Sequence, residues 1–183
     1  SIEVVKRRPR TVVLRTFSKA YGLAGLRCGY AVTSNELARH IDRVRAPFNV
    51  SAIAQSAALA ALDDADYLRA STSLNRRNRQ WLTSALRRRG FKVTRSQTNF
   101  VLVDFGDKAA AVYDGLRQRG VLTRPMGGYG LPTCIRIGVG VAEEQKTLLS
   151  ALDALLSESE GGVTPLPQGQ NPEPGGAPRQ ARL

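Results

Sequence analysis

Short strand-like runs alternate with helical patterns along this chain, and that alternation restricts the fold more than any other feature. The run "TVVLRTF" (11–17) is rich in β-branched and apolar residues and predicts a buried strand, and "RCGYAVT" (27–33) predicts a second strand. Ser34 or Asn35 is placed to cap a helix over 36–45, and Ser51 to cap a helix that is apolar nearly all round and is therefore predicted to be buried. This pattern is typical of an α/β fold.

The alternation continues over residues 65–156, where we predict a small C-terminal α/β domain. A long helix is expected from about 65 to 89, with further helices over 108–119 and 142–156. Strands are expected in the segments "FKVTRS", "TNFVLVDF", "VLTRP" and "CIRIGVG".

The two flanking segments differ from this unit. Residues 1–64 have too few strands for a complete sheet, so their buried-type strands and helices require other sheet neighbours. Residues 157–183 are rich in Gly, Pro, Gln and Glu, and we expect a disordered tail there.

The charge balance favours anionic partners. The formal net charge is +12, with 27 basic against 15 acidic residues. The helical arginines Arg76, Arg77, Arg79 and 87–89 are interpreted as a solvated face, because no aromatic residues interleave with them, so nucleic-acid binding is not expected. We find no membrane-spanning run, no secretion signal and no metal-ligand spacing, and we expect a cytoplasmic protein.

The segment "TFSKAYGLAGLRCGY" (16–30) holds the residues with the clearest chemistry. Lys19 follows a strand, and the next eight residues contain no carboxylate to hold its charge, which suits an amine that attacks a carbonyl. Thr16 and Ser18 supply hydroxyls, and Arg27 supplies a fork for phosphate oxygens. Together these groups predict a pyridoxal phosphate site, the alternative being an ordinary surface lysine in a hairpin loop.

The same segment resembles the lysine segment of fold-type I, pyridoxal-phosphate-dependent aminotransferases, and within them the histidinol-phosphate aminotransferase branch. The resemblance covers roughly residues 10–156 and includes "APFNVSAIAQSAALAAL", "TNFVLV" and "VLTRPMGGYGLPTCIRIGVG". It implies that residues 1–64 are the C-terminal portion of the cofactor-binding large domain.

The resemblance also implies a role for individual residues. Lys19 matches the lysine that forms a Schiff base with pyridoxal 5'-phosphate. Thr16, Ser18 and Arg27 match ligands of the cofactor phosphate. Arg136 matches the arginine that holds the substrate α-carboxylate, and Arg124 matches the one that reaches the side-chain phosphate of the substrate.

Other polar residues have simpler explanations. Because a strand alternates faces, Arg136 should point away from its two neighbouring isoleucines, and by pattern alone it is also a candidate for the solvent face of a sheet. Arg124 is alternatively a polar strand end. Tyr129 is interpreted as a loop residue, Asn99 as a capping or turn residue, and His40 as a surface residue of a helix.

The activity implied is a transaminase of histidine and amino-acid biosynthesis. It would move an amino group from histidinol phosphate, or an aromatic amino acid, to 2-oxoglutarate, and related enzymes are homodimers. The family's ring-nitrogen aspartate and ring-hydroxyl tyrosine have no match before Lys19, so we expect a C-terminal part of such an enzyme, poorly soluble on its own. The alternative is an inactive remnant that binds anions or a partner chain.

Overall fold

The computed structural model describes residues 2–160 of the chain, and side chains from 3 to 158. Its last helix runs to Glu160, four residues past the predicted helix end and into the segment assigned to the tail. The rest of the predicted disordered tail, residues 161–183, lies outside the described residues.

The structure is a mixture of helices and strands, as the sequence predicts. The helices are α1 (Ile2–Arg7), α2 (Asn35–Val44), α3 (Ala52–Asp63), α4 (Ala65–Arg88), α5 (Ala109–Gln118) and α6 (Ala142–Glu160). The strands are β1 (Val13–Thr16), β2 (Gly29–Val32), β3 (Lys92–Val93), β4 (Phe100–Asp104), β5 (Arg124–Pro125) and β6 (Cys134–Gly138). Helix α1 was not predicted. Within the described residues, no helix is both long and apolar enough to cross a membrane.

The strands β1 and β2 pair antiparallel and form a two-stranded sheet. The prediction of a buried first strand is wrong for the described chain, since Leu14 is 73% exposed and Tyr30 on β2 is 44% exposed. Within residues 2–160, each of these strands pairs only with the other.

Helix α3 gives a second correction. The Ser51 hydroxyl accepts a hydrogen bond from the Ala54 backbone N–H and caps the helix as predicted. The helix is not buried, however: Ala54 and Ala58 are buried, but Ile53 and Leu59 are exposed. A helix that is apolar on all sides can be fully buried, but only if other elements pack against each of its faces.

The four-stranded sheet is antiparallel throughout, with the strand order β3–β4–β6–β5. One face carries buried residues from β4 and β6, including Val101, Val103, Ile135 and Ile137. Helices α4, α5 and α6 contribute buried leucines such as Leu82, Leu116 and Leu152 to the same cluster. The helices therefore cover one face of the sheet and leave the other face to the polar residues of β5 and β6.

A second, smaller cluster of buried residues lies in the N-terminal segment and consists of Phe17, Cys28, Ala54 and Ala58. The larger cluster begins at Leu82. Between the two, the Asp64 carboxylate accepts a hydrogen bond from the Tyr67 backbone N–H and caps α4. The predicted domain boundary at residue 64 stays a prediction, and the two clusters support it.

The arginines of α4 are not uniformly the solvated face that the sequence suggested. Arg79 is only 8% exposed, and its guanidinium donates to the Thr98 carbonyl oxygen at 2.8 Å. Arg89 forms two hydrogen bonds with the Asp153 carboxylate of α6, both at 2.6 Å. These two arginines fasten α4 to its neighbours.

Candidate active site

Backbone hydrogen bonds fix the loop of residues 17–28, here called the lysine loop. The Phe17 N–H donates to the Cys28 carbonyl at 3.2 Å and the Leu23 N–H donates to the Phe17 carbonyl at 3.0 Å. The Gly22 N–H donates to the Lys19 carbonyl at 2.9 Å. Because Phe17 is buried at the base of this loop, the side chain of Lys19 starts from a fixed backbone.

Gly22 fits this loop against α4. Its φ of +72° lies in the left-handed region that favours glycine. A Cβ at this position would lie 2.7 Å from the Tyr67 hydroxyl oxygen, so a larger residue would push the lysine loop away from α4.

Thr16, Ser18 and Arg27 line one shallow depression of about 550 Å³, here called the Arg27 depression. The Thr16 hydroxyl oxygen accepts a hydrogen bond from the Ser18 backbone N–H at 3.1 Å, which leaves both side-chain hydroxyls able to donate. Arg27 has a left-handed φ of +53°, and one guanidinium nitrogen donates to the Ala24 carbonyl at 2.9 Å. Two hydroxyls and a guanidinium facing one depression form a donor set suited to a phosphate.

Lys19 lines a different cavity of about 520 Å³, here called the lysine cavity. Its walls come from the lysine loop, from α4 and from the segment that leads into β4, and they include Thr72, Asn75, Asn99 and Phe100. No carboxylate is among its lining residues. Lys19 itself is exposed, so the described residues do not supply the water exclusion that its sequence setting indicated.

Arg136 lies on β6 between two buried isoleucines and points to the opposite face, as the strand alternation predicted. Its guanidinium carbon lies over the Phe100 ring, 5.0 Å from the ring centroid. Since Phe100 also lines the lysine cavity, this ring connects Arg136 with the cavity that contains Lys19.

Arg124 stands directly opposite Arg136 in the β5–β6 register, so both side chains leave the same face of the sheet. Within the described residues, no carboxylate forms an ion pair with the Arg124 guanidinium. The guanidinium donates to the Tyr129 hydroxyl at 2.8 Å and lies 5.3 Å from that ring's centroid. Like charges directly opposite each other destabilise a sheet, and an anion between them would relieve that repulsion.

Three residues have contacts that the sequence alone does not indicate. Asn99 and Phe100 both line the lysine cavity, although the pattern predicts a turn residue and a strand residue. The hydroxyl of Tyr129, predicted to be a loop residue, accepts a hydrogen bond from Arg124. The adjacent pair Asn99-Phe100 at the start of a strand is the only hint in the sequence. Its position beside Lys19 results from long-range packing, which a local pattern does not predict. His40 is exposed on α2, as expected.

Comparison with known proteins identifies the family of this chain. The sequence model of the family "Aminotransferase class I and II" matches residues 2–155. Histidinol-phosphate aminotransferase 2 of Ralstonia nicotianae is 47% identical over 166 residues, which cover 89% of this chain and 44% of that protein. The protein of the same name from Methylococcus capsulatus is 49% identical over 148 residues, covering 81% of this chain and 40% of that protein.

A solved structure shows the same likeness in three dimensions. The crystal structure of histidinol-phosphate aminotransferase from Sinorhizobium meliloti, in complex with pyridoxal-5'-phosphate, matches with a TM-score of 0.79 and 37% identity. The match covers 86% of this chain and 44% of that one. The chain thus spans less than half the length of these relatives. It belongs to the aminotransferase class I and II family.

Proposed function

We propose that the protein is a pyridoxal-phosphate-dependent aminotransferase whose amino donor is histidinol phosphate or, in a closely similar activity, an aromatic amino acid. The acceptor is 2-oxoglutarate, as the family resemblance implies. One observation carries the proposal: Lys19 lines a cavity whose Phe100 wall lies beneath the Arg136 guanidinium. An amine and a carboxylate-binding arginine are the two groups that an amino-acid transaminase needs near one another.

The donor groups of the chain fit the cofactor phosphate, but Lys19 lines a separate cavity, so the cofactor would have to extend from the Arg27 depression to the lysine cavity. The hydroxyls of Thr16 and Ser18 and the guanidinium of Arg27 line one depression and would hold the phosphate. Lys19 lies next to Ser18 in the chain and makes no described hydrogen bond, so its amine is free to attach the aldehyde. When bound, pyridoxal phosphate supplies an electron-withdrawing ring that stabilises negative charge at the substrate Cα.

The residues of this chain then have distinct tasks. Arg136 would bind the α-carboxylate of an aromatic amino donor or of the oxo acid with two parallel hydrogen bonds and so fix the orientation of the Cα. Histidinol phosphate has no α-carboxylate, and its phosphate ester would take that place. The amine of Lys19, once free, would take the proton from the Cα of the donor as a general base, and in the second half of the exchange it would return a proton to the Cα of the new amino acid. Arg124, which donates a hydrogen bond to the Tyr129 hydroxyl, would bind the phosphate of histidinol phosphate.

Charge and exposure support a larger assembly around this site. Lys19 and Arg27 are both exposed in the described chain. We propose that the working enzyme is a homodimer in which further protein surface covers the lysine loop.

Titration with pyridoxal phosphate tests this function. The wild-type protein should develop the visible absorbance of protein-bound cofactor, and Lys19→Ala should not. Lys146→Ala removes another exposed lysine, on α6, and serves as the matched control. Equal absorbance changes in wild type and Lys19→Ala would overturn the assignment of Lys19.

A second candidate function is an inactive chain that binds an anion or a partner. The exposed apolar residues of β1 and α3 favour it, because such surfaces mark interaction sites. A stable complex with a partner chain, together with no cofactor absorbance in that complex, would favour this candidate over the aminotransferase.

A further inference from the structure

Four arginines line a cavity of about 400 Å³ that none of the proposed catalytic residues touches. It lies between one face of α4 and the segment 95–97, and we call it the arginine cavity. Its basic residues are Arg76, Arg79, Arg87 and Arg95. The remaining lining residues are the serines, threonine and glutamines Gln80, Thr83, Ser84, Ser96 and Gln97.

Two of these arginines are fixed by the fold. Arg79 donates to the Thr98 carbonyl at 2.8 Å and to the Gln97 side-chain oxygen at 3.3 Å. Arg87 donates to the Val93 carbonyl at 3.0 Å. These bonds hold both guanidinium groups in place and leave further N–H donors on each.

Arg79 is more than nine-tenths buried, and its described partners are all neutral. A buried cation without an opposite charge is costly, and bonds to a carbonyl and an amide oxygen satisfy its donors but do not cancel its charge. The burial of Arg79 therefore indicates that negative charge is supplied from outside the described chain.

Arg76 and Arg95 add two more positive charges to the same cavity. Both are exposed, and neither has a hydrogen bond or ion pair with any described residue. No carboxylate is among the lining residues of the cavity. Four like charges around one concave space repel each other unless an anion lies between them.

We propose that the arginine cavity binds a small phosphate-bearing anion, such as a phosphate ester or a diphosphate. A planar carboxylate engages one guanidinium fork, whereas a phosphate group offers several oxygens to several forks and to neighbouring hydroxyls. The volume fits a small molecule better than a nucleic-acid duplex, whose backbone needs an extended basic surface with repeated phosphate contacts.

This site is distinct from both the Arg27 depression and the Arg124–Arg136 pair, which share no lining residue with it. It is adjacent to the lysine cavity, because Gln97 lines both cavities and Arg79 holds the Thr98 carbonyl. The bound anion would therefore rest against the same segment that forms one wall around Lys19.

Calorimetric titration with inorganic pyrophosphate at about 0.15 M ionic strength tests the proposal, because charges outside the cavity are then largely screened. The double variant Arg76→Ala/Arg95→Ala removes the two unpaired arginines of the cavity. It leaves Arg79 and Arg87, which are bonded to the fold, so the fold should persist. We expect its affinity for pyrophosphate to fall about tenfold or more. The control Arg77→Ala/Arg88→Ala removes the same charge from exposed positions of α4 outside the cavity, and should change affinity by no more than about twofold. All of these proteins also carry Arg27→Gln, which removes the guanidinium of the Arg27 depression, so that the remaining heat reports binding at the arginine cavity.

Equal losses in the two double variants would overturn the proposal, because general charge attraction would then account for binding. Titration with a labelled DNA duplex tests whether the phosphate bound in the cavity belongs to a nucleic-acid backbone instead of a small molecule. Duplex binding that depends on Arg76 and Arg95, and that pyrophosphate does not displace, would also contradict a small-molecule site. Displacement of any weakly bound duplex by pyrophosphate would support it.

Discussion

Arg136 and Arg124 are placed by the strand register, with their guanidinium groups on the sheet face opposite the helices. Neither has a carboxylate partner among the described residues. Arg136 lies against the Phe100 ring and Arg124 against the Tyr129 ring and hydroxyl. Aromatic contacts orient a guanidinium without neutralising it, so both arginines keep their charge available for an anionic substrate.

Arg124→Gln tests whether Arg124 binds the phosphate of the proposed donor. In the cofactor-loaded protein, we expect affinity for histidinol phosphate to fall about tenfold or more, because one charge-assisted contact is lost. Affinity for histidinol, which lacks the phosphate, should change by less than about twofold. Competition binding measures both affinities.

The control for this variant is Tyr129→Phe, which removes the hydroxyl that accepts from Arg124 at 2.8 Å and keeps the ring beneath it. A smaller loss of histidinol phosphate affinity is expected there. Equal losses for both ligands in Arg124→Gln would contradict the phosphate role.

At the scale of elements, α5 and α6 pack closely at Gly115. A Cβ there would lie 2.3 Å from Leu155 Cδ2 and 3.0 Å from its Cδ1. Gly115→Ala should therefore lower the free energy of unfolding by about 1–2 kcal/mol in urea denaturation, since overpacking outweighs the gain in helix propensity. Adding Leu155→Ala should recover part of the loss, and a Gly115→Ala protein more stable than wild type would contradict this packing.

The ion pair between α4 and α6 predicts a dependence of stability on pH. The hydrogen bond from Arg89 lowers the pKa of Asp153 below its usual value, with burial opposing this and the Arg89 charge reinforcing it. A carboxyl with a lowered folded-state pKa stabilises the protein above its unfolded pKa of about 3.9, and this contribution is lost as pH falls through the folded pKa.

Asp153→Asn should therefore reduce the melting temperature at pH 7 and have a smaller effect at pH 3. The comparison is Asp66→Asn, which removes an exposed partner of Arg69 within α4 and should change stability less. A difference between wild type and Asp153→Asn that grows as the pH falls would contradict the sign of this pKa shift.

Sequence patterns predicted these elements well where the information is local. Strand alternation placed Arg136 opposite its isoleucines, and capping residues gave the starts of α2 and α3. The edge strands β3 and β5 are only two residues long, and periodicity did not show that. The walls of the lysine cavity come from α4 and the start of β4, which only tertiary packing brings to Lys19.

At the scale of the whole molecule, the two buried clusters are unequal. The cluster on the four-stranded sheet is supported by three helices, whereas the N-terminal cluster has four buried residues and leaves Ile53 74% exposed and Leu59 67% exposed. Exposed apolar side chains grouped on one segment are typical of an interaction surface.

A hydrophobic dye should report that surface. The chain should bind 8-anilinonaphthalene-1-sulfonate, and Ile53→Gln/Leu59→Gln should lower the fluorescence of the bound dye. Leu122→Gln, at an exposed position in the C-terminal unit, is the control and should change the signal little. Unaltered dye binding in the double variant would show that α3 is not the exposed apolar surface.

Locating the covalent attachment of the cofactor tests whether Lys19 is the residue that carries it. The protein is incubated with pyridoxal phosphate and reduced with borohydride, and the labelled peptide is identified by mass spectrometry. The account predicts one dominant pyridoxyl label, on Lys19, weakened when Arg27→Gln removes the phosphate-binding guanidinium. A label spread over the exposed lysines, or concentrated on a lysine other than Lys19, would contradict it.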